Sequence, residues 1–123
     1  MPVEPADVDR ARSLVAVRRF RDVIDLLVPK GAPFEGPAQS AFLLAQSHLA
    51  LKEPEHALGA AEFGLQRAPD STWGHRLRSR ALSGLGRHAE ATAAARHVLE
   101  LAPTDHLCHL TLGDALLARG LDD

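Results

Sequence analysis

The 123-residue sequence predicts an all-α superhelix of stacked helix-turn-helix repeats, about three of them followed by a terminal helix. Three observations predict it. Pro69 and Pro103 stand one period of about 34 residues apart, as do Ala57 and Ala91. Small residues recur on the same spacing at Ala11, Ala45, Ser79 and Gly113. Ala, Leu and Arg are abundant while tyrosine is absent and aromatics make up only 4%, a mix that favours helix over sheet. A period of this length is the mark of helical pairs that bury their apolar faces only by stacking. The chain is read as one domain over residues 1–123, with repeats at about 4–37, 38–71 and 72–105 and a half-repeat, or capping helix, at 106–120.

The first repeat departs most from the pattern. Val8, Ala11, Leu14, Val15 and Val17 mark its opening helix; Phe20, Val23, Ile24 and Leu27 mark the second, which breaks early at Pro29. A Gly/Pro-rich loop to Pro37 restores the register. In the second repeat Pro37 suits a first helical position, and the helix runs to about Leu51. Pro54 restarts the chain, and Ala57, Leu58, Ala61 and Leu65 form an apolar face closed by Pro69. The third repeat is the clearest. Trp73, Leu77, Ala81, Leu82 and Leu85 recur at about one helical turn, capped by Ser71 or Thr72 and ended by Gly86 in the left-handed conformation. Its second helix carries Ala91, Ala94, Ala95, Val98 and Leu99, and stops at Pro103 before a Thr104-Asp105 cap. Antiparallel helices approach closely only where side chains are short, so Ala45 and Ser79 should meet Ala57 and Ala91.

These residues together resemble the tetratricopeptide repeat family. Leu112-Gly113 matches its Leu-Gly pair, Gly86 and Gly120 its turn glycine, Ala57 and Ala91 its central Ala, and Pro69 and Pro103 its final Pro. The likeness covers nearly the whole chain, strongly over 38–120 and weakly over 4–37. Aromatic positions of the motif hold Asp7, Ala41, His75 and His109 on first helices, and Leu27, Ala61 and Ala95 on second ones, which implies a core of Ala and Leu. The resemblance implies an interaction scaffold whose concave groove, lined by the first helices, receives a peptide segment of a partner protein. Carried over by position, the lining is Val8, Arg12 and Val15; Gln39, Phe42, Gln46 and Leu49; Trp73, Arg76, Arg80 and Ser83; then Leu107, Leu110 and Asp114. Chaperone-tail binders of the family clamp a C-terminal carboxylate with Lys, Asn and Arg. The matching positions here are Val8, Arg12, Leu43, Trp73 and Leu77, so that clamp is absent apart from one basic residue.

Within this lining, Arg12, Phe42, Gln46, Trp73, Arg76, Arg80 and Asp114 are the expected partner contacts. Trp and Arg dominate binding hot spots, and Arg76 and Arg80 are one turn apart, able to face one acidic stretch together. The competing reading makes both arginines ordinary solvated surface and packs Trp73 at a helix start. The terminal helix has apolar residues with no following helix to cover them, whereas arrays of this kind normally finish on a polar cap. The alternative function is therefore a self-associating structural module dimerising through Leu112 and Leu116, or the repeat part of a larger protein.

The formal net charge of −2 disfavours a general nucleic-acid or anionic-membrane binder. Charge is uneven, with five Arg against three acids over 72–105. The single cysteine, Cys108, gives no intrachain disulfide, and the N-terminus lacks a secretion signal, so a cytoplasmic place is expected. The Ala/Arg-rich usage matches high-GC bacterial genomes. No phosphate loop, His-Glu-x-x-His, CxxC or nucleophile elbow is present, and neither catalysis nor a cofactor is expected. His106 and His109 flank Cys108 and could supply two metal ligands, where a tight site needs three or four; solvated helix histidines are the plainer reading.

Overall fold

The computed structural model describes residues 3–29 and 33–122, the side chains of 121 and 122 excepted. They form seven α-helices: α1 Pro5–Ala16, α2 Phe20–Leu27, α3 Ala38–Ala50, α4 Pro54–Arg67, α5 Thr72–Gly84, α6 His88–Leu101 and α7 His106–Asp122. Each helix packs on the next, and the odd-numbered first helices also pack directly on one another, α1 on α3, α3 on α5 and α5 on α7. The result is a single curved stack of hairpins, as the sequence period predicts.

Local chemistry sets the helix ends. Pro5 and Pro54 open α1 and α4 at positions where a missing N–H costs nothing. Ser71 Oγ accepts from the Gly74 N–H at 3.1 Å, and Asp105 Oδ1 from the Leu107 N–H at 2.8 Å. Pro37 is the cap of α3 rather than its first residue, because its ψ of 163° is extended. Val17, expected in the first apolar face, caps the C-terminus of α1 and is 65% exposed.

The turns inside the hairpins obey the period more strictly than the composition does. Arg18, Lys52 and Gly86, each one period from the next, all have positive φ (61°, 63° and 79°). Around each, the following residue donates its N–H to a carbonyl earlier in the helix: Arg19 to Leu14 at 2.9 Å, Glu53 to His48 at 2.8 Å and Arg87 to Leu82 at 2.9 Å. This is the left-handed C-terminal closure of a helix, which glycine adopts freely and arginine or lysine only under strain. The first repeat, weak in sequence, therefore turns as the third does. Its shortfall lies in α2, with 8 residues against 14 in α4 and α6.

The small residues of the ladder are buried up to its third rung, and one contact across a hairpin is a hydrogen bond. Ala11, Ala45, Ala57 and Ala91 are fully buried and Ser79 is 1% exposed. Ser79 Oγ donates to the Ala91 carbonyl at 2.9 Å, tying α5 to α6. Gly113, the fourth rung, is exposed with open space where a Cβ would stand, since no described second helix follows α7. Two apolar clusters result. The first joins Val8, Val23, Leu27, Phe42, Leu43, Leu44 and Leu77; the second is alanine-rich and joins α4 to α7 around Leu58 and Leu82.

Candidate functional site

The concave face is built from the first helices, so the register that buries one side of α3, α5 and α7 decides which residues line it. Arg12 is exposed and lies 3.8 Å from Asp9 on its own helix. Gln46 is half-buried. Trp73 is also half-buried and rests its ring on Phe42, with centroids 5.5 Å apart and planes at 60°. Asp114 is exposed and has no ion pair among the described residues.

Phe42 is not a groove contact. It is 3% exposed, and its ring fills a hole left by two glycines, in the first turn of α5 and the last turn of α4: a Cβ at Gly74 would stand 2.6 Å from Phe42 Cε1 and Cζ, and one at Gly64 would collide with the same ring. The register points Phe42 toward the concave side, but α5 passes close enough over it to close it in.

Arg76 and Arg80 are the distinctive pair. Arg76 is half-buried; its Nε is sealed from solvent without a hydrogen-bond acceptor among the described residues. A guanidinium N–H left unpaired in this way costs roughly 1–3 kcal/mol. Arg80, one turn on, is exposed and has no ion pair among the described residues. It lines a cleft of about 390 Å³ with Leu49, Lys52, Pro54 and Gly84. A smaller cleft of about 290 Å³ lies at the other end, between Val3, Pro5, Val8, Asp9, Pro37 and Gln39.

On α7 the expected pair Leu112 and Leu116 divides. Leu112 is half-buried against the second cluster and so cannot serve as a free contact, whereas Leu116 is 43% exposed. The larger apolar exposure is at Leu107, Leu110 and Leu117, on the opposite flank of the helix. His106, Cys108 and His109 do not converge. Cys108 is fully buried, and burial first, then Asp105, pushes its thiol pKa up while Arg76 draws it down. His109 Nε2 instead meets the Pro103 carbonyl at 2.8 Å, just as His75 Nε2 meets Pro69 at 2.7 Å. Where the resembled motif has an aromatic residue, these histidines pin the inter-repeat turn.

Sequence reasoning missed a polar cluster on the opposite side. His48 Nδ1 lies 3.0 Å from Glu53 Oε1, and Arg21 Nη2 donates to Glu53 Oε2 at 3.3 Å, linking α2, α3 and the start of α4. Burial pulls the His48 pKa below its ordinary 6.5, with Glu53 opposing. The bond from His48, then that from Arg21, holds Glu53 below its ordinary 4.5 against some desolvation. The His48 ring also stacks at 5.0 Å on His56, beside an edge-to-face Phe34–Phe63 pair.

No protein-family model matches the chain, and no curated protein matches it. Solved structures do. The first TPR (tetratricopeptide repeat) domain of human RPAP3 is 19% identical and superposes with a TM-score of 0.80, over 93% of this chain and 90% of that one. The second TPR domain of the same human protein, in complex with the HSP70 peptide SGPTIEEVD, is 18% identical with a TM-score of 0.79, over 89% and 91%. The first TPR of Spaghetti (RPAP3), bound to the HSP90 peptide SRMEEVD, is 16% identical with a TM-score of 0.78, over 94% and 91%. The chain has the fold of a tetratricopeptide-repeat domain.

Proposed function

We propose that this chain is a non-catalytic interaction module that binds an acidic segment of a partner protein along its concave face. The observation that carries the reading is the pair of unpaired guanidinium groups, Arg76 and Arg80, beside half-buried Trp73 and above the Leu49–Arg80 cleft. A carboxylate there would pair with exposed Arg80 and lie beside Arg76, two cations facing one acidic turn. Gln46 and Asp114 border the same face and would set register; Arg12 lies toward its far end. Two of the structural neighbours are complexes with chaperone peptides, which supports peptide binding as the use of this shape. It does not transfer their ligand. The positions matching the carboxylate clamp are Val8, Leu43 and Leu77, all buried and apolar, and Trp73, with Arg12 alone basic. An internal acidic segment suits the site better than a chaperone tail.

Trp73 is the only tryptophan, so its emission reports binding directly. Titration with glutamate-rich peptides should shift it, and amidating the C-terminus of such a peptide, or of SRMEEVD, should not change the affinity. The double variant Arg76→Glu, Arg80→Glu should weaken the productive peptide by at least about a hundredfold, from about 1.5–3 kcal/mol per charge-assisted bond, with helicity unchanged. Unaltered affinity in that variant sinks the assignment.

A second reading, self-association through α7, is favoured by the exposed leucines on that helix. A concentration-dependent sedimentation coefficient abolished by Leu116→Glu would support it; a constant monomer would remove it. No described helix is long and apolar enough to cross a membrane. The buried free thiol of Cys108 supports a cytoplasmic place, and Ala/Arg-rich usage a bacterial source.

A further inference from the structure

We propose that the cleft between the early end of α2 and the helices α3 and α4 is a binding site for a small aromatic amine, held as its ammonium form. The inference is separate from the acidic-peptide groove and does not depend on it. The short α2 makes the space. It stops at Leu27, whereas α4 and α6 stop at Arg67 and Leu101, one and two periods after Pro33. Beside that early end opens a cleft of about 330 Å³. It is lined by Val28 and Phe34 after α2, by Leu44 and His48 of α3, and by α4 from Glu55 to Phe63.

The walls are apolar and aromatic. Phe34 and Phe63 meet edge to face, with centroids 4.9 Å apart and planes at 78°, and the His48 and His56 rings lie 5.0 Å apart. These walls belong to this cleft and not to the stack in general. One period on, Phe34, His48, His56 and Phe63 give way to Ala68, Leu82, Glu90 and His97. Gly59 marks the cleft as well. It stands in the middle of α4, where glycine weakens a helix relative to alanine, and its counterpart in α6 is Ala93. No atom lies within 4 Å of the place its Cβ would take. Unlike Gly64 and Gly74, then, it makes room for no neighbour inside the fold; what it leaves open is the cleft.

The polar edge sets the charge of the ligand. Glu55 is exposed and makes no ion pair among the described residues. No Lys or Arg lines the cleft, and Arg67, 3.8 Å over the Phe63 ring, is not part of its lining. His48 Nδ1 faces Glu53 Oε1 at 3.0 Å; a carboxylate only accepts, so Nδ1 carries the hydrogen. Burial lowers the pKa of this ring below 6.5, so at neutral pH Nε2 keeps a lone pair. A carboxylate and an imidazole acceptor beside aromatic walls complement a flat apolar body that carries a cationic N–H donor. The volume stands at the low end of the roughly 300–1,000 Å³ of small-molecule sites. That suits a molecule of indole size and excludes a helix of a partner.

The probes are tryptamine, its neutral analogue tryptophol and the anionic indole-3-propionate. Each is titrated into the intact chain at neutral pH by calorimetry, with the ring protons of His48 and His56 followed by NMR. Tryptamine should bind saturably and move those protons. It should exceed tryptophol by about tenfold, the scale of one charge-assisted hydrogen bond, and indole-3-propionate should bind more weakly than either. Glu55→Gln should bring tryptamine down to the level of tryptophol. Gly59→Leu fills the cleft from a position with no internal neighbour, so it should abolish binding without lowering the melting temperature. Arg76→Glu with Arg80→Glu should leave tryptamine binding unchanged, which separates this site from the groove. Absence of saturable tryptamine binding overturns the proposal. So does binding that survives Gly59→Leu, ignores Glu55→Gln, moves neither histidine or is lost with the two arginines. Tryptophol or indole-3-propionate binding as tightly as tryptamine overturns the assignment of an ammonium ligand.

Discussion

Gly64 and Gly74 sit in the last turn of α4 and the first turn of α5. They are tolerated because Phe42 occupies the space a side chain would need. Gly74→Ala should destabilise the fold by about 1–3 kcal/mol, since an aromatic ring cannot flex away from a Cβ at 2.6 Å. Denaturant melts of that variant would check it, and a melt like that of the parent would mean the ring is looser than described. Lys52 carries the opposite lesson. Its φ of 63° is strained for any residue with a Cβ. Lys52→Gly should raise stability by up to about 1 kcal/mol, the relief exceeding the entropy that glycine adds to the unfolded chain. A lower melting temperature would contradict this.

Elements are joined by polar as well as apolar contacts, and the joint among α2, α3 and α4 is the polar one. His48 has its pKa lowered mainly by burial, so protons bind the unfolded chain more readily than the folded one. Its contribution is complete above its ordinary 6.5 and is lost as pH falls from there toward its lowered value. Glu53, lowered chiefly by its bond to His48, contributes above 4.5 and loses that contribution as pH falls further. Both act in one direction. The melting temperature should fall from about pH 7.5 to about 5.5, the window in which an ordinary histidine titrates. His48→Gln should flatten that slope; an equal slope in the variant would clear His48 of the effect.

What the sequence revealed follows from which features keep the period. The helices, hairpin order and sealed ladder of Ala45, Ala57, Ser79 and Ala91 were legible because each needs a residue type at a fixed place. The turns at Arg18 and Lys52 were legible only by position, because those residues do not announce a left-handed backbone; counting back from Gly86 finds them. Phe42 was misassigned since register fixes a direction, not the distance to the next helix. The signal that could have corrected it was Gly64 and Gly74, one glycine in each of the two helices that follow α3. His48 and Glu53 meet across the same periodic turn that joins Leu14 to Arg19 and Leu82 to Arg87, but of the three only this turn places a histidine and a carboxylate there, and Arg21 reaches them from another element.

At the scale of the whole molecule, each helix pair touches only its neighbours, so stability is close to a sum along one axis. The interior pairs α3–α4 and α5–α6 are flanked on both sides, and the end elements are not. Amide hydrogen exchange should therefore be slowest in α3–α6 and faster in short α2 and in α7, whose leucines remain half in water. Uniform protection would show that the array opens as one unit. The two ends also differ in kind. α1 presents Ala6, Asp9 and Ser13 to solvent, while α7 presents Leu107, Leu110 and Leu117, so one exposed helix face is mainly polar and the other apolar.

Cys108 gives that asymmetry a clock. Its sulfur is wholly enclosed on the packed side of α7, where α5 and α6 meet that helix, and burial disfavours its thiolate. An alkylating reagent can reach it only in molecules where this packing has opened, so the labelling rate counts those openings one at a time. A ligand seated on the outside of α7 would slow the count without ever touching the sulfur.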